Sequence, residues 1–190
     1  MGRTCFSCFQ CHGIRGEGGA AAALPRLSGQ DQRYLTRSLE DFASGARESA
    51  TMRDVAQALT PQQRQDVALY YSVVAAPPAL LASTSEADAG AQAGSEIEQQ
   101  GLPDKGVPAC ATCHSVELGT QGPPYPYLSG QFADYLEQQL EQFRAGTRRG
   151  PDAQVMQVIA KNLTTEQARL LSEHFASQAP PRSLSQQAQR

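Results

Sequence analysis

Apolar residues recur at three- and four-residue steps in two segments of the chain, 30–43 and 131–145. This is the periodicity of a helix that turns one face to a core and the other to water. A glycine follows each segment, Gly45 or Gly146, where helices commonly end. In the second segment the core face consists of Phe132, Tyr135, Leu136, Gln139, Leu140 and Phe143. The pattern predicts two equivalent amphipathic helices.

Further helices are predicted after these two segments. Thr60 and Thr164 each stand three residues before a glutamine, which is the spacing of a helix N-terminal cap. Each of them predicts a final helix for its half of the chain. Short helical stretches, 55–59 and 158–163, are predicted just before the caps.

The chain is a tandem repeat. Leu27-Ser-Gly-Gln30 aligns with Leu128-Ser-Gly-Gln131 at an offset of 101 residues, and further identities follow in order. So many matches mean that one small all-α domain is present twice. The predicted divisions are an N-terminal domain over 1–76, a linker over 77–85, a C-terminal domain over 86–178 and a disordered tail over 179–190.

Each half contains two cysteines three residues apart, with a histidine directly after the second. The residues are Cys8, Cys11 and His12 in the first half, and Cys110, Cys113 and His114 in the second. This is the pattern for covalent attachment of a c-type haem. At that spacing each thiol can add to one of the two porphyrin vinyl groups, and the adjacent imidazole reaches the iron. The sequence therefore predicts two haem c groups with histidine as the proximal ligand.

The second axial ligand of each iron is predicted from the methionines. Besides Met1, the chain has Met52, 40 residues after His12, and Met156, 42 residues after His114. Each motif thus has one methionine at a matching distance. Histidine and methionine together fill both axial positions and raise the reduction potential, which suits electron transfer rather than oxygen or substrate binding.

The cysteines and methionines also have three interpretations that do not involve haem. One is a four-cysteine zinc site, although zinc modules usually place their cysteine pairs within a few tens of residues and these are 102 apart. Another is two structural disulfides, but cysteines three apart close small strained loops and leave the histidines unexplained. Methionines are also common core filler. The matched spacing in both halves favours the haem.

A proline stands at an equivalent place after each haem motif, Pro25 in the first half and Pro126 in the second. Its fixed φ suits a rigid turn beneath the proximal imidazole. A backbone carbonyl of this turn is expected to accept the Nδ1 proton of His12 or His114, which makes the ligand more electron-donating. The alternative is a pair of loop prolines without electronic effect.

Two further pairs are candidates for contact with the porphyrin. Tyr34 and Tyr135 stand on the amphipathic helices and are expected to lean on the ring, unless they are ordinary core aromatics. Arg47 and Arg148 come just before the methionine segments. Their planar guanidinium groups suit haem propionates, unless they are solvated surface arginines.

Composition limits what else the protein can be. The formal charge is −3 and the pI about 5.6, with acidic and basic residues mixed, so nothing favours nucleic-acid binding. No run approaches the ~20 apolar residues of a membrane span. Only 6% of the 190 residues are aromatic and there is no tryptophan, so each small half has a thin core. We therefore expect the fold to depend on buried porphyrin.

With these motifs in this order, the chain resembles the dihaem cytochrome c4 family of bacterial class I cytochromes. The matching pieces, from Cys8 to Ser177, are the two haem motifs, PRLSGQ and PYPYLSGQ, the helices ending in FASGAR and FRAGTR, and the methionine segments. The resemblance implies two tandem class I cytochrome c domains, each wrapped around one covalently attached haem. It also implies propionate edges near the interface and electron exchange between the haems.

Three features depart from the family pattern. Residues 1–7 are too few for the helix that precedes a class I haem motif, whereas 86–100 is predicted to supply it in the second half. One side of the first domain is therefore expected to be truncated or covered by a partner. Cys5 is interpreted as an unpaired thiol, or alternatively as a site of intermolecular linkage. Ser115 stands where the first half has Gly13.

The expected function is electron carriage rather than enzymatic catalysis, in a bacterial periplasmic respiratory chain. The protein takes single electrons from a quinol-oxidising complex or dehydrogenase and passes them to a terminal oxidase or reductase. One alternative is a cytochrome subunit permanently bound to a periplasmic dehydrogenase. Another is a dihaem peroxidase or thiol-oxidising enzyme, which a methionine at each iron disfavours. His174 lies outside both motifs and is interpreted as structural.

Haem attachment also implies a location. The motif implies assembly outside the bacterial cytoplasm, so a periplasmic protein is expected. Residues 1–7 contain no apolar segment of a signal peptide. We therefore expect the export signal to lie outside this sequence.

Overall fold

The computed structural model of the chain describes residues 8–19, 24–75, 88–115 and 123–181, with side chains from 92 onward in the third range. Three of the predicted features lie outside these ranges: Cys5, the linker 77–85 and residues 182–190 of the tail. The described segments contain helices and isolated β-bridges but no strand, as the all-α prediction requires. The helices are α1 (Phe9–His12), α2 (Gln32–Ser44), α3 (Ala50–Ala58), α4 (Pro61–Val73), α5 (Asp88–Gln100), α6 (Ala111–His114), α7 (Ala133–Arg144), α8 (Ala153–Asn162) and α9 (Thr165–Ser177).

The first amphipathic helix, α2, is bounded by its capping residues. The Asp31 side chain accepts backbone hydrogen bonds from Arg33 at 2.7 Å and Tyr34 at 3.0 Å. The helix therefore begins two residues later than the periodicity predicts. Gly45 ends it in the left-handed conformation, with a φ of 81°, which a residue without a Cβ adopts freely.

The final helix of each half begins with a capping box, as predicted. Thr60 Oγ1 accepts from the Gln63 backbone, and the Gln63 side chain accepts from the Thr60 backbone. Thr164 and Gln167 exchange the same two bonds at the start of α9. The reciprocal bonds satisfy donors that a helix start leaves unpaired.

The methionines lie inside helices rather than in loops before them. Helix α3 begins at Ala50 and α8 at Ala153, both earlier than the predicted 55 and 158. Ser49 Oγ accepts from the Met52 backbone N–H at 3.3 Å and so caps α3 around the methionine. Met52 and Met156 therefore belong to the first four residues of their helices.

The helices form two lobes, which we call lobe 1 (α1–α4) and lobe 2 (α5–α9). In lobe 1, α2 packs against α3 and α4; in lobe 2, α7 packs against α8 and α9, and α5 packs on α9. The buried cluster of lobe 2 contains Ile97, Val107, Leu136, Leu163, Leu171 and Phe175. That of lobe 1 contains Leu35, Ala68 and Tyr71. Within the described residues lobe 1 has no counterpart of α5, and its core is correspondingly smaller.

His174 holds α5 to α9. Its Nε2 lies 2.6 Å from a carboxylate oxygen of Glu98, and Gln178 contacts both residues. The backbone of Gly94 on α5 lies so close to α9 that an added Cβ would be 2.6 Å from the Cβ of His174. These contacts support the interpretation of His174 as structural.

The two lobes face each other through equivalent residues of the repeat. The backbones of Arg47 and Arg148 form an isolated antiparallel bridge, and Arg149 N donates to Ala46 O at 2.6 Å. Each of these contacts joins one repeat to the matching part of the other. The lobes are therefore related by an approximate twofold axis that passes close to this bridge.

The chain crosses both lobes again near its C-terminal end. Pro180 lies against Gly130 of lobe 2, and Pro181 lies against Gly29 of lobe 1. A Cβ at Gly130 would come within 2.7 Å of the Pro180 backbone, so no larger residue fits there. The first residues of the predicted tail are thus part of the folded structure.

Candidate haem sites

Each haem motif forms a single turn of helix. The backbone N–H of His12 donates to Cys8 O at 2.9 Å in α1, and that of His114 donates to Cys110 O at 3.0 Å in α6. Residues at positions i, i+3 and i+4 share one face of a helix. Each turn therefore places two thiols and one imidazole together, which is the donor set that one covalently attached porphyrin requires.

The four thiols are not arranged as a metal site or as disulfides. Cys8, Cys11, Cys110 and Cys113 are unbridged, and in the part of the chain that the structure describes no three His, Cys, Asp or Glu residues gather around one point. Burial, and then the nearby carboxylate of Glu98, raises the pKa of the Cys110 thiol to about 11. The free thiol is therefore protonated at neutral pH. The structure thus gives no support to the zinc and disulfide interpretations.

The proximal histidines have the hydrogen bond expected from the prolines. His12 Nδ1 lies 3.0 Å from Pro25 O, and His114 Nδ1 lies 2.8 Å from Pro126 O. Because a carbonyl only accepts, Nδ1 carries the proton and Nε2 keeps its lone pair. Burial lowers the pKa of both imidazoles despite this hydrogen bond, so they are neutral at pH 7. Each ring is therefore ready to bind iron through Nε2.

Met52 and Met156 occupy equivalent helices and are both half-buried. Met156 packs against the buried cluster of Phe143, Ala153 and Ala160. Core methionines pack in the same way, so their role as iron ligands stays a prediction.

Arg47 and Arg148 meet between the lobes. Arg47 Nη2 donates to Tyr135 Oη and to Gln139 Oε1, both at 2.6 Å. Arg148 donates to Gln139 Oε1 at 3.0 Å and to Tyr34 Oη at 3.1 Å. Arg47 is only 4% exposed, so the solvated-arginine alternative is wrong for it. We call these five residues the interlobe cluster.

Aromatic rings lie beneath both guanidinium groups of the interlobe cluster. The Arg47 guanidinium is 4.6 Å from the centroid of Phe42, and that of Arg148 is 4.5 Å from the centroid of Phe143. Their hydrogen-bond partners among the described side chains are two tyrosine hydroxyls and one amide oxygen, none of which is a carboxylate. Burying cations without a hydrogen-bonded carboxylate is costly. The cluster therefore fits the acidic propionate groups of two haems.

The positive charge of the interlobe cluster also acts on its tyrosines. Burial raises the pKa of Tyr135 and outweighs the attraction of Arg47. At Tyr34 burial also opposes ionisation, but the charges of Arg148 and Arg47 together outweigh it and lower the pKa to about 7. The cluster thus favours an anionic oxygen at its centre.

Sequence reasoning missed the roles of three glutamines. Gln139 was expected only as part of a core-facing helix surface, yet it joins both arginines of the interlobe cluster. Gln30 and Gln131 end the repeated Leu-Ser-Gly-Gln motif, and both cross to the opposite lobe. The exact duplication of that motif indicated that both glutamines matter, but a repeated motif does not show which residues its side chains contact.

Two stretches of the chain, residues 1–72 and 90–178, match the family model described as Cytochrome c. The chain belongs to the cytochrome c family. Each match covers one half of the tandem repeat, so this cytochrome carries the domain twice.

Similar proteins agree with the dihaem cytochrome c4 resemblance. A cytochrome c4 of Pseudomonas aeruginosa is 34% identical over 177 residues, which cover 88% of this chain and 82% of the relative. A thiosulfate dehydrogenase electron acceptor of Stutzerimonas stutzeri is 34% identical over 171 residues, which cover 90% of this chain and 78% of the relative.

Solved structures give the same result. Reduced recombinant cytochrome c4 from Pseudomonas stutzeri matches with a TM-score of 0.79 and 31% identity, covering 90% of this chain and 93% of the other. The thiosulfate dehydrogenase TsdBA from Marichromatium purpuratum matches with a TM-score of 0.79 and 32% identity. That match covers 92% of this chain and 36% of the longer TsdBA chain.

The cytochrome c4 resemblance is therefore confirmed. This cytochrome is an all-α dihaem protein with two covalently bound haem c groups, and it transfers electrons. None of the helices in the described ranges is both long and apolar enough to cross a membrane.

Proposed function

We propose that this cytochrome is a periplasmic carrier of single electrons in which both lobes hold haem in the same way. In lobe 1, Cys8 and Cys11 form the thioether bonds, and His12 and Met52 bind the iron. In lobe 2 the same roles fall to Cys110, Cys113, His114 and Met156. When bound, each haem iron supplies one-electron chemistry by alternating between the ferrous and ferric states.

The hydrogen bond from each imidazole to a proline carbonyl carries this proposal. It fixes the tautomer and the orientation of the rings of His12 and His114. A ligand held in this way keeps its position when the charge of the iron changes. Little reorganisation then accompanies electron transfer, which is the property that a carrier needs.

Arg47 and Arg148 are proposed to bind the propionates at the interface. Their fixed guanidinium groups, held by Tyr135, Tyr34 and Gln139, place positive charge where both lobes meet. This arrangement supports haem edges that approach each other there, so that an electron entering one lobe passes to the other.

The proposed route runs from a quinol-oxidising complex or a dehydrogenase to a terminal oxidase or reductase. The name of the Stutzerimonas stutzeri relative favours a thiosulfate dehydrogenase as the donor. The periplasmic location is supported by the haem motifs, because covalent attachment of this kind takes place outside the bacterial cytoplasm.

A permanent dehydrogenase subunit is the second candidate. This chain matches 36% of the TsdBA chain, which is named as the dehydrogenase itself. A cytochrome unit of this kind is therefore part of a dehydrogenase chain in that protein, which favours the second candidate. Gentle affinity purification from the native host separates the two candidates. A stoichiometric dehydrogenase that survives moderate salt supports the subunit, whereas a haem protein recovered alone supports the diffusing carrier.

A redox titration followed by absorbance tests the ligand assignment. The near-infrared band that reports sulfur bound to ferric iron should have the intensity of two haems in the native protein. Met52→Leu and Met156→Leu should each remove half of it, lower the potential of one haem and open one iron to carbon monoxide.

Each methionine variant serves as the control for the other, because they occupy equivalent helices in different lobes. A native protein that binds carbon monoxide at both irons, or variants that keep the full near-infrared band, would contradict the assignment. The first of these outcomes would favour the peroxidase or thiol-oxidising enzyme instead.

A further inference from the structure

Two buried glutamines form reciprocal contacts across the lobes. Gln131 of lobe 2 binds the backbone of Arg26 in lobe 1: its Oε1 accepts from Arg26 N at 2.9 Å and its Nε2 donates to Arg26 O at 3.0 Å. Gln30 of lobe 1 binds the backbone of Tyr127 in the same way, at 2.8 Å and 2.9 Å. Each glutamine thus satisfies both backbone groups of one residue in the opposite lobe.

In lobe 1 the bonded residue directly follows the proline that holds the proximal histidine. The peptide group between Pro25 and Arg26 therefore has two partners. Its carbonyl accepts from His12 Nδ1 at 3.0 Å, and its N–H donates to Gln131 Oε1 at 2.9 Å. A single planar peptide unit stands between the imidazole of lobe 1 and the glutamine of lobe 2.

Lobe 2 repeats this arrangement with the partners exchanged. The carbonyl of the peptide group between Pro126 and Tyr127 accepts from His114 Nδ1 at 2.8 Å. The N–H of the same group donates to Gln30 Oε1 at 2.8 Å. The two chains of hydrogen bonds therefore cross between the lobes in opposite directions.

The positions of these glutamines make the bonds effective. Gln30 and Gln131 are 7% and 6% exposed, so water does not compete freely for the hydrogen bonds of their amides. In a peptide group, donation by the N–H polarises the conjugated C=O and makes it a stronger acceptor. The carbonyl that receives the histidine proton is thus strengthened by a residue of the other lobe.

We propose that Gln131 is a positioning residue for His12 and Gln30 for His114, so that each lobe tunes the haem of the other. This inference rests on the proposed role of the two histidines as iron ligands. A stronger acceptor at Nδ1 makes an imidazole more electron-donating, which favours ferric iron and lowers the reduction potential. Loss of a glutamine should therefore raise the potential of the haem in the opposite lobe.

The test is a redox titration of Gln131→Met and Gln30→Met in the intact dihaem protein. Proton NMR follows the two haems separately through their own methyl resonances. Gln131→Met should shift haem 1 upward by at least a threefold change in its redox equilibrium constant, about 28 mV at 59 mV per tenfold. Gln30→Met should shift haem 2 by a similar amount, and in each case the other haem should move less.

A second substitution separates tuning from simple loosening of the interface. Gln131→Glu keeps an oxygen that accepts from Arg26 N–H, and its negative charge makes that acceptor stronger, although a carboxylate cannot donate to Arg26 O as the amide does. It should therefore lower the potential of haem 1 more than that of haem 2, opposite in sign to Gln131→Met. Glu48→Gln is the matched control, since it removes the exposed interlobe ion pair with Arg149 and leaves both proline peptides untouched.

Equal shifts at both haems, or a larger shift in the lobe that carries the substitution, would overturn the inference. So would a Glu48→Gln control that reproduces the crossed pattern. These outcomes are distinct from failure of the histidine assignment, because a histidine bound to ferric iron has strongly shifted imidazole resonances in the proton NMR spectrum of the native protein, which has both glutamines. If the methionine variants of Gln30 or Gln131 fail to fold, the sign of the Gln131→Glu shift decides.

Discussion

Arg47 of lobe 1 and Tyr135 of lobe 2 lie 2.6 Å apart, guanidinium nitrogen to hydroxyl oxygen. The equivalent Arg148 and Tyr34 lie 3.1 Å apart in the reverse direction. Each lobe therefore supplies the arginine that orients the tyrosine of the other. Because Arg47 is buried and the other three groups are half-buried, we expect the stability of the interface to depend on them more than on surface ion pairs.

Arg47→Met should lower the free energy of unfolding by about 2 kcal/mol, because it removes the hydrogen-bond donor to Tyr135 Oη and one of the two donors to the buried Gln139, whose other donor is Arg148. The measurement is urea denaturation of the haem-loaded protein. Arg37→Met is the matched control, since Arg37 joins Asp152 across the same interface at 3.5 Å but on the surface. The control should cost less than about 1 kcal/mol. Equal losses would contradict the importance of burial.

Loss of haem should unfold lobe 1 more completely than lobe 2. The double variant Cys8→Ala/Cys11→Ala prevents attachment in lobe 1, whose buried cluster is the smaller one. Helix content measured by circular dichroism should fall by an amount corresponding to α2, α3 and α4, because a small core without its cofactor does not offset chain entropy.

The matched variant for haem loss is Cys110→Ala/Cys113→Ala in lobe 2. Lobe 2 keeps α5 on α9 and a larger buried cluster, so it should lose less helix. Cooperative melting of a protein without either haem would contradict the expectation that the fold depends on the cofactor.

Stability should fall with acid in a window set by the proximal histidines. Burial lowers the pKa of His12 and His114 in the folded state, against an ordinary value of 6.5. Their contribution is therefore present above pH 6.5 and is lost as the pH falls below it, because the unfolded chain takes up protons that the folded one does not. Iron coordination acts in the same direction by occupying Nε2.

Urea denaturation between about pH 7.5 and about pH 5.5 measures this loss in a Tyr34→Phe background, because Tyr34 has a pKa of about 7 and would titrate in the same range. Carboxylates with ordinary pKa values titrate lower. His174→Gln removes the third histidine of the chain and serves as the control. The decline should persist in that variant. A decline that disappears in His174→Gln would show that His174, and not His12 or His114, causes the loss of stability.

His174→Ala should destabilise lobe 2 by about 1–3 kcal/mol, because Glu98 and Gln178 lose a half-buried partner. It should leave the potential of haem 1 unchanged, since α5 and α9 belong to lobe 2, where Glu98 lies near Cys110 of the second haem motif. Tyr70→Ala is the control at the equivalent place on α4, where the side chain is 53% exposed. A shifted haem 1 potential in His174→Ala would contradict the structural role of the histidine.

Local features of this protein were predictable from the chain alone. The haem motifs each occupy one helical turn, and the capping boxes at Thr60 and Thr164 form as their spacing indicates. The predicted start of α2 was two residues early because the Asp31 cap was not recognised. The helices around Met52 and Met156 begin earlier than predicted. At α3 the reason is the Ser49 cap, which starts the helix where the prediction had no helix.

The sequence by itself determined the cofactor, the duplication and the helices, because these follow from residues within about four positions of each other or from direct repetition. Only the tertiary structure decided which residues meet between the lobes. Gln131 reaches a backbone 105 residues away, and Arg47 a hydroxyl 88 residues away. Such partners are selected by the packing of whole lobes, and no periodicity along the chain encodes that packing.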